Sequence, residues 1–329
     1  MITRTQAATI LVAYLTMVNA TPSVAATSTL RIGYDSWVGF AGVFAADSLG
    51  LFEKEGIRVQ LHAFPGPTDS IPPVIAGSLD IALTTPDNVI SVDARQGEDL
   101  RTIDFIDRSA GADAVVAKND IHGVTDLRDH RIAVTLGQCN ELLLLEALAG
   151  AGLKQKDVTL VNMDGDIAGA AFIAGSLDAA VTWEPWVTQI TATRKGHVVF
   201  SSRDAPNTIF DSVAVTARFA RTHGPELVAF IRAVSAGTAY VRQHPAETRA
   251  ILAQRLGIRP ENAAVMLRGV QIFDLQDNVN LFRDGQRPGP IYAAMERVAD
   301  FQFSQHLYTQ KAKSASTLDP SFVIAAAAR

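Results

Sequence analysis

The 329-residue chain has few charged residues, few aromatic residues and a single cysteine, Cys139. Charged residues make up 19% and aromatic residues 7%, while 48% are hydrophobic, so the chain can bury a core and is not of the disordered class. One cysteine excludes an internal disulfide bond and a zinc or iron–sulfur site built on cysteines. The formal net charge is -5 and no run of five basic residues occurs, which excludes most nucleic-acid-binding proteins. No apolar run of 18 residues follows residue 26, which excludes a multi-span membrane protein.

Residues 1–26 have the composition of a secretory signal peptide. Arg4 supplies a positive charge, residues 7–18 are mainly apolar, and Val24-Ala25-Ala26 places small residues before a cut after Ala26. A short N-terminal anchor helix is the alternative interpretation. The sequence therefore predicts an exported, periplasmic protein that begins near Thr27.

The rest of the chain contains an internal repeat. The sequence IAGSLD occurs at residues 75–80 and again at 173–178, which is 98 residues further along. Apolar segments at 30–34 and 57–62 have counterparts in the same order at 131–135 and 158–162. The repeat is too long for a solenoid and indicates a duplicated lobe.

Each copy predicts an α/β unit, because short apolar strands alternate with helices. In the first copy the helices are predicted at 42–52 and from Asp69 to Gly77; in the second they are predicted at 141–151 and from Asp166 to Gly175. Such alternation is typical of a mainly parallel sheet flanked by helices. Strands 113–117 and 211–216 are interpreted as two crossovers between the lobes. The predicted domains are 27–115 plus 212–329, with a helical C-terminal part that wraps the first lobe, and 116–211.

Ligands of such sheets bind at the carboxyl ends of the strands, so the loops there hold the candidate ligand-binding residues. These residues are Asp35, Ser36, Trp37, Phe40, Thr84, Thr85, Asp113, Gln138, Asn140, Trp183, Glu184 and Asp211. Several of them have a structural alternative: helix capping for Asp35 and Ser36, turn formation for Thr84 and Thr85, packing for Trp37 and hinge hydrogen bonding for Asp113 and Asp211.

Acids outnumber bases in these loops. Asp35, Asp87, Asp113, Glu184 and Asp211 face only one basic residue nearby in sequence, Arg108. A closed cleft holds unpaired carboxylates at a high free-energy cost, and tryptophan faces beside carboxylates suit ammonium groups. The pattern therefore favours an amine-bearing or zwitterionic solute.

Two further residues at the start of the second lobe's first helix are interpreted as structural. A carboxylate in the first turn, such as Glu141, is stabilised by the helix dipole without any ligand. Cys139 is expected to be an inert thiol, because no histidine lies near it in sequence.

Several segments together resemble the periplasmic substrate-binding proteins of the nitrate/sulfonate/taurine ABC importers. They are Gly111 to Lys118, Asp126-Leu127-Arg128, Arg131 to Val134, Ala170 to Gly175 and Trp183-Glu184-Pro185-Trp186. The likeness runs from about residue 30 to residue 300. Trp183-Glu184-Pro185 and Asp211 match a Trp-x-Pro turn and an aspartate of the taurine-type members, whereas Gln138-Cys139-Asn140 departs from their Thr/Ser-rich helix start.

The resemblance implies a two-lobed, type II-like periplasmic binding protein that closes on a small solute and delivers it to a membrane permease. The expected partners are that solute and the permease; the chain is expected to be a monomer without cofactor, metal or nucleic acid. A plain anion such as an alkanesulfonate, or a pyrimidine vitamin precursor, is the alternative ligand. A sensor that docks on a receptor and an enzyme on the same fold are the alternative functions. The histidines show no metal-ligand spacing and no hydrolase or P-loop motif occurs, so no enzyme is predicted.

Overall fold

The computed structural model describes residues 28–97, 99–284 and 287–328. The predicted signal peptide, residues 1–26, lies outside this part of the chain. Among the helices within it, none is both long and apolar enough to cross a membrane.

The first of two main sheets has six strands in the order β11-β4-β10-β3-β1-β2. β1 lies between β2 and β3 and is parallel to both, whereas β10 is antiparallel to β3 and to β4. The strands are β1 Thr29–Tyr34, β2 Arg58–Ala63, β3 Ile81–Thr84, β4 Leu100–Ser109, β10 Phe210–Thr216 and β11 Val270–Ile272.

The second sheet has five strands in the order β7-β6-β8-β5-β9. β6 lies between two parallel neighbours, β7 and β8, and β5 is antiparallel to β8 and to β9. These strands are β5 Asp113–Ala117, β6 Arg131–Val134, β7 Thr159–Asn162, β8 Ala179–Trp183 and β9 His197–Ser201. The arrangement β7-β6-β8 repeats β2-β1-β3, so the sequence repeat corresponds to two sheets of the same design. A separate two-stranded sheet pairs β12 Arg283–Asp284 with β13 Arg287–Pro288.

The two strands interpreted as crossovers lie inside the sheets. β5 is in the second sheet between β8 and β9, and β10 is in the first sheet between β3 and β4. The chain passes between the sheets at residues 110–112 and 202–209, whereas the expected boundaries at 115 and 212 fall within β5 and β10. Both strands are apolar and buried, so their composition does not show where the chain leaves a sheet.

Fourteen helices are assigned among the described residues. Those of the first part are α1 Ala41–Ser48, α2 Leu51–Lys54, α3 Ile71–Ile75 and α4 Pro86–Gln96. The helices around the second sheet are α5 Cys139–Gly150, α6 Gly165–Ile173 and α7 Trp186–Ala192. Those of the C-terminal part are α8 Ala217–Thr222, α9 Gly224–Gln243, α10 Pro245–Leu256, α11 Pro260–Leu267, α12 Leu275–Phe282, α13 Pro290–Ser304 and α14 Ser321–Ala327.

Two helix predictions need correction. The helix expected at 42–52 is divided into α1 and α2, because Gly50 adopts the left-handed conformation with φ 63°. The second helix of the second copy is capped by Asp164, whose side chain accepts from the backbone N–H of Asp166, and not by Asp166 itself.

The C-terminal helices share a core with the first sheet. α9, α13 and α14 contribute buried side chains to the same hydrophobic cluster as β1 and β3. α1 and α9 cross closely: a Cβ on Gly237 would lie 2.1 Å from the carbonyl oxygen of Gly42. A side chain at residue 237 would therefore separate the two helices.

Candidate functional site

A cavity lies where the two sheets face each other, at the carboxyl ends of β1 and β8 and the starts of β5 and β10. Its volume is about 30 Å³. The residues that line it are Asp35, Trp37, Pro67, Thr85, Asp113, Gln138, Cys139, Asn140, Trp183, Ile209 and Asp211. Both lobes contribute, as expected of a cleft that closes on a small solute.

Most of the candidate residues named from the sequence meet at this cavity. The ones that line it are Asp35, Trp37, Thr85, Asp113, Gln138, Asn140, Trp183 and Asp211. They come together because each lies at or next to the end of a strand or helix, and these ends meet at the boundary between the two sheets.

Four candidates lie elsewhere. Ser36 is exposed, and Phe40 is fully buried in the core of the first lobe. Thr84 is also fully buried, and its hydroxyl donates to the carbonyl oxygen of Pro67. Glu184 precedes α7 and its side chain binds the first turn of that helix: its Oε1 accepts from the Thr188 hydroxyl at 2.8 Å and its Oε2 from the Thr188 backbone N–H at 3.0 Å. The expectation that this carboxylate is aimed across the cleft does not match these contacts.

Asp107, on β4, is a site residue that sequence reasoning missed. It is fully buried beneath the cavity, and its Oδ2 accepts from the indole N–H of Trp37 at 3.0 Å. Asp107 directly follows the segment Ile103 to Ile106, which is apolar apart from Asp104, and this position was the available signal. Arg108, the next residue, points away from the cleft and donates to Gln271 and Asn207.

The carboxyl groups at the cavity have unusually high pKa values. The pKa is raised to about 7 for Asp35, to about 8 for Asp107 and to about 6 for Asp113, mainly by burial and in smaller part by nearby carboxylates. Burial also raises the pKa of Asp211 well above its usual value, with an additional contribution from the charge of Asp107. A proton or another positive charge beside these carboxyl groups is therefore favoured near neutral pH.

The cluster has no basic partner in the cavity wall. Among the described residues that line it, none is a lysine, arginine or histidine. The carboxyl group of Asp113 accepts a hydrogen bond from Asn140 Nδ2 at Oδ1, at 3.0 Å, while its Oδ2 is buried with no hydrogen-bond partner in the described structure. Asp113 is 4% exposed, so bulk water does not compensate this oxygen.

The cavity shows no arrangement typical of nucleophilic catalysis. The Cys139 thiol is buried, and burial raises its pKa well above the usual value, with further contributions from Asp87 and Asp113. Such a thiol is a poor nucleophile at neutral pH, and no histidine from the described chain reaches the cavity wall to activate it. The described residues also contain no group of three or more His, Cys, Asp and Glu side chains arranged to hold a metal ion.

The two mixed sheets, the chain passages between them and the cavity at their seam define a two-lobed periplasmic binding protein fold. The family model described as "NMT1/THI5 like" matches residues 37–248, and the chain belongs to this family.

Individual relatives agree with this assignment. A protein of Escherichia coli named for the binding of aliphatic sulfonates is 30% identical over 234 residues, which is 70% of this chain and 72% of that protein. The structure of the alkanesulfonate-binding protein SsuA from Xanthomonas axonopodis pv. citri bound to MOPS has a TM-score of 0.74 at 22% identity, covering 89% of this chain and 98% of that one. The desulfurization enzyme DSZB shares the fold at a TM-score of 0.67 and 15% identity, covering 91% and 98%. The fold is therefore found in binding proteins and in an enzyme.

Proposed function

We propose that this protein is the solute-binding component of an ABC import system and that its solute is a small amine-bearing or zwitterionic molecule. The observation that carries the proposal is the cavity itself: Asp35, Asp113 and Asp211 line it, Asp107 lies beneath it, and no basic side chain is among the described lining residues. This function requires binding of the solute and closure of the two lobes around it, and no chemical reaction.

Electrostatics favours a ligand with positive charge. Moving a carboxylate from water into a protein interior costs several kcal/mol unless a positive charge or hydrogen bonds compensate it. Without a positive charge beside them, burial favours the protonated forms of these carboxyl groups, and their raised pKa values express this preference. An ammonium group would replace those protons and would fill the vacant acceptor position at Asp113 Oδ2. The rings of Trp37 and Trp183 add walls of the kind that bind ammonium groups.

The alternative ligand is a plain anion, such as an alkanesulfonate. The relatives named for sulfonates support it, and a zwitterion of the taurine type would satisfy both sets of observations. A sulfonate alone would meet buried carboxylates without a basic side chain to pair with, which is unfavourable.

The direct test is a thermal-shift screen over amines, zwitterionic amino acids and aminosulfonates, alkanesulfonates and pyrimidines, followed by calorimetry. Asp113→Asn and Asp211→Asn should each lower the affinity for the identified solute roughly thirty-fold or more. Loss of the carboxylate leaves the positive charge of the solute buried without a partner, which costs about 2–5 kcal/mol. Asp120→Asn removes an exposed carboxylate of the second lobe and serves as the control. A wild-type protein that binds only alkanesulfonates, or Asn variants that bind as wild type does, would contradict the proposed ligand class.

The proposal includes export and a permease partner. We expect residues 1–26 to be removed, so that mass spectrometry of the periplasmic protein finds an N-terminus at or near Thr27, and we expect a monomer. A protein that retains Met1 would contradict the export prediction. Neighbouring genes for a permease and an ATPase would distinguish an importer from a sensor that docks on a receptor.

A further inference from the structure

The N-terminus of α5, at the edge of the cavity, is closed by a carboxylate from the opposite lobe. The backbone N–H of Cys139, the first residue of α5, donates to Oδ2 of Asp87 at 3.0 Å. Asp87 belongs to the first turn of α4, beside the first sheet, and is 1% exposed. The bond therefore joins the two lobes through a buried carboxyl group, whose pKa is raised by burial.

A second bond from the C-terminal part ties the same segments together. The side-chain amide of Gln302 donates to the carbonyl oxygen of Asp87 at 3.0 Å and to that of Gly137 at 3.2 Å. Gln302 is on α13, which packs in the core of the first lobe. Asp87 is thus held at this position from its own lobe.

Ordinary capping does not explain the contact. Gln138, the residue at the N-cap position of α5, makes no side-chain capping hydrogen bond. A serine or aspartate there would cap the helix locally, whereas here the acceptor is an aspartate from a helix of the other lobe. The other oxygen of that acid, Asp87 Oδ1, is buried with no hydrogen-bond partner in the described structure.

The position matters because a helix N-terminus attracts anions. Its unpaired N–H groups and the helix dipole favour a negative group, whether a side chain or part of a ligand. In a binding protein, an anionic ligand group at this point would also link the lobes. Here Asp87 already occupies it, directly behind Cys139 of the cavity wall.

We propose that Asp87 is a specificity-determining residue: its carboxyl group occupies the N-terminus of α5, links the two lobes without an anionic group on the ligand, and excludes plain anions from this end of the cavity. The inference deepens the proposed function, on which it rests for the preference for positive charge. It adds the residue that disfavours the alternative ligand class.

The test compares wild type, Asp87→Ser, Asp87→Asn and Asp93→Asn by calorimetry with ethanesulfonate as the probe. Asp87→Ser removes the charge and opens space at the helix N-terminus, so its affinity for ethanesulfonate should exceed that of wild type at least tenfold. Asp87→Asn keeps an oxygen that can accept from Cys139 but loses the charge, so a gain of about threefold or more is expected. Asp93→Asn removes a carboxylate from the same helix, away from α5, and should change nothing.

Small-angle scattering on the ligand-free proteins gives an independent measurement. Asp87→Ser should have a larger radius of gyration than wild type and Asp93→Asn, because the link between the lobes is lost. Thermal melts establish that each variant is folded. If Asp87→Ser does not fold, the inference is tested by Asp87→Asn alone, whose affinity for ethanesulfonate should exceed that of wild type about threefold or more.

The result that overturns the inference is an ethanesulfonate affinity that is the same in the folded Asp87 variants and in wild type. This outcome depends on the ratio of the ethanesulfonate affinities of variant and wild type, whereas the proposed function depends only on which ligands the wild type binds. If wild type itself binds ethanesulfonate and no amine, the proposed function fails; a tenfold gain in Asp87→Ser would still support the role of Asp87.

Discussion

The indole nitrogen of Trp37 donates a 3.0 Å hydrogen bond to Oδ2 of Asp107, and this bond fixes a wall of the cavity to the carboxyl group beneath it. Gly39 makes the approach possible, since a Cβ at that position would lie 2.1 Å from the same oxygen and 2.2 Å from the indole nitrogen. The ring, the carboxyl group and the loop that follows β1 therefore form one packed unit. The orientation of Trp37 depends on a strand that is far from it in sequence.

Trp37→Phe should destabilise the protein. The substitution keeps most of the buried ring but leaves Asp107 Oδ2 without a donor, and an orphaned buried acceptor costs about 1–3 kcal/mol. Chemical denaturation of wild type and variant measures the difference. Trp186→Phe is the matched control, because Trp186 donates to Asp166, which is half-buried and outside the cavity. Loss of that hydrogen bond should lower the free energy of unfolding by less. Equal stability of Trp37→Phe and wild type would contradict this role of the bond.

The ligand-free protein should become less stable as the pH rises from 5 to 8. The pKa values of Asp35, Asp107 and Asp113, raised by burial to about 7, about 8 and about 6, exceed the value of about 3.9 for aspartate in an unfolded chain. In this range the folded protein binds more protons than the unfolded chain, so the free energy of unfolding falls as those protons are lost.

Thermal melts at pH 5 and pH 8, at matched ionic strength, measure this dependence. We expect a melting temperature several degrees lower at pH 8. Asp107→Asn keeps an oxygen for the Trp37 indole but cannot ionise, so it should flatten the dependence. A melting temperature that stays constant or rises toward pH 8 would be inconsistent with a cluster of protonated acids.

Gly165→Ala should weaken solute binding by displacing Trp183. A Cβ on Gly165 would lie 2.1 Å from the six-membered ring of Trp183, which lines the cavity from the end of β8. The ring has to move, and we expect a loss of about tenfold in affinity by calorimetry with the solute that the screen identifies. Gly150→Ala, where nothing lies within 4 Å of the added Cβ, is the control and should bind as wild type does. If Gly165→Ala also binds as wild type does, the Trp183 ring is not a wall that the solute needs.

The repeat and the loops at the strand ends were predictable because they depend on local patterns. Asp35, Trp37 and Trp183 follow or end apolar strands, and the carboxyl ends of parallel strands mark the position of a ligand. β4 was missed because Asp104 and Asp107 interrupt its apolar residues, and both become buried. Their burial depends on strands and helices distant in sequence: Asn278 of α12 donates to the Phe105 carbonyl oxygen and accepts from its N–H. No local pattern encodes such contacts.

The same limitation explains Glu184. Its place in a Trp-Glu-Pro-Trp sequence at the end of β8 favoured a contact across the cleft, but the side chain direction depends on the first turn of α7, where the N–H and hydroxyl of Thr188 are free to bind it. Sequence position located the residue at the seam between the lobes. It did not determine whether the carboxylate would bind Thr188 or make a contact across the cleft.

Glu184→Gln should therefore affect stability more than binding. The carboxylate accepts two hydrogen bonds from Thr188, at 2.8 and 3.0 Å, and these stabilise the start of α7. Its negative charge also interacts favourably with the positive end of the helix dipole. A glutamine can keep one acceptor oxygen but loses the charge, so the expected cost is about 0.5–2 kcal/mol of unfolding free energy, as for the loss of a cap. Calorimetry should give a solute affinity within about threefold of wild type, in contrast to the roughly thirty-fold loss expected for Asp113→Asn. Thr188→Val removes the hydroxyl donor from the other side and should lower stability without changing affinity. If Glu184→Gln lowers the affinity as strongly as Asp113→Asn does, the carboxylate faces the solute in the complex and its bond to Thr188 exists only in the ligand-free protein.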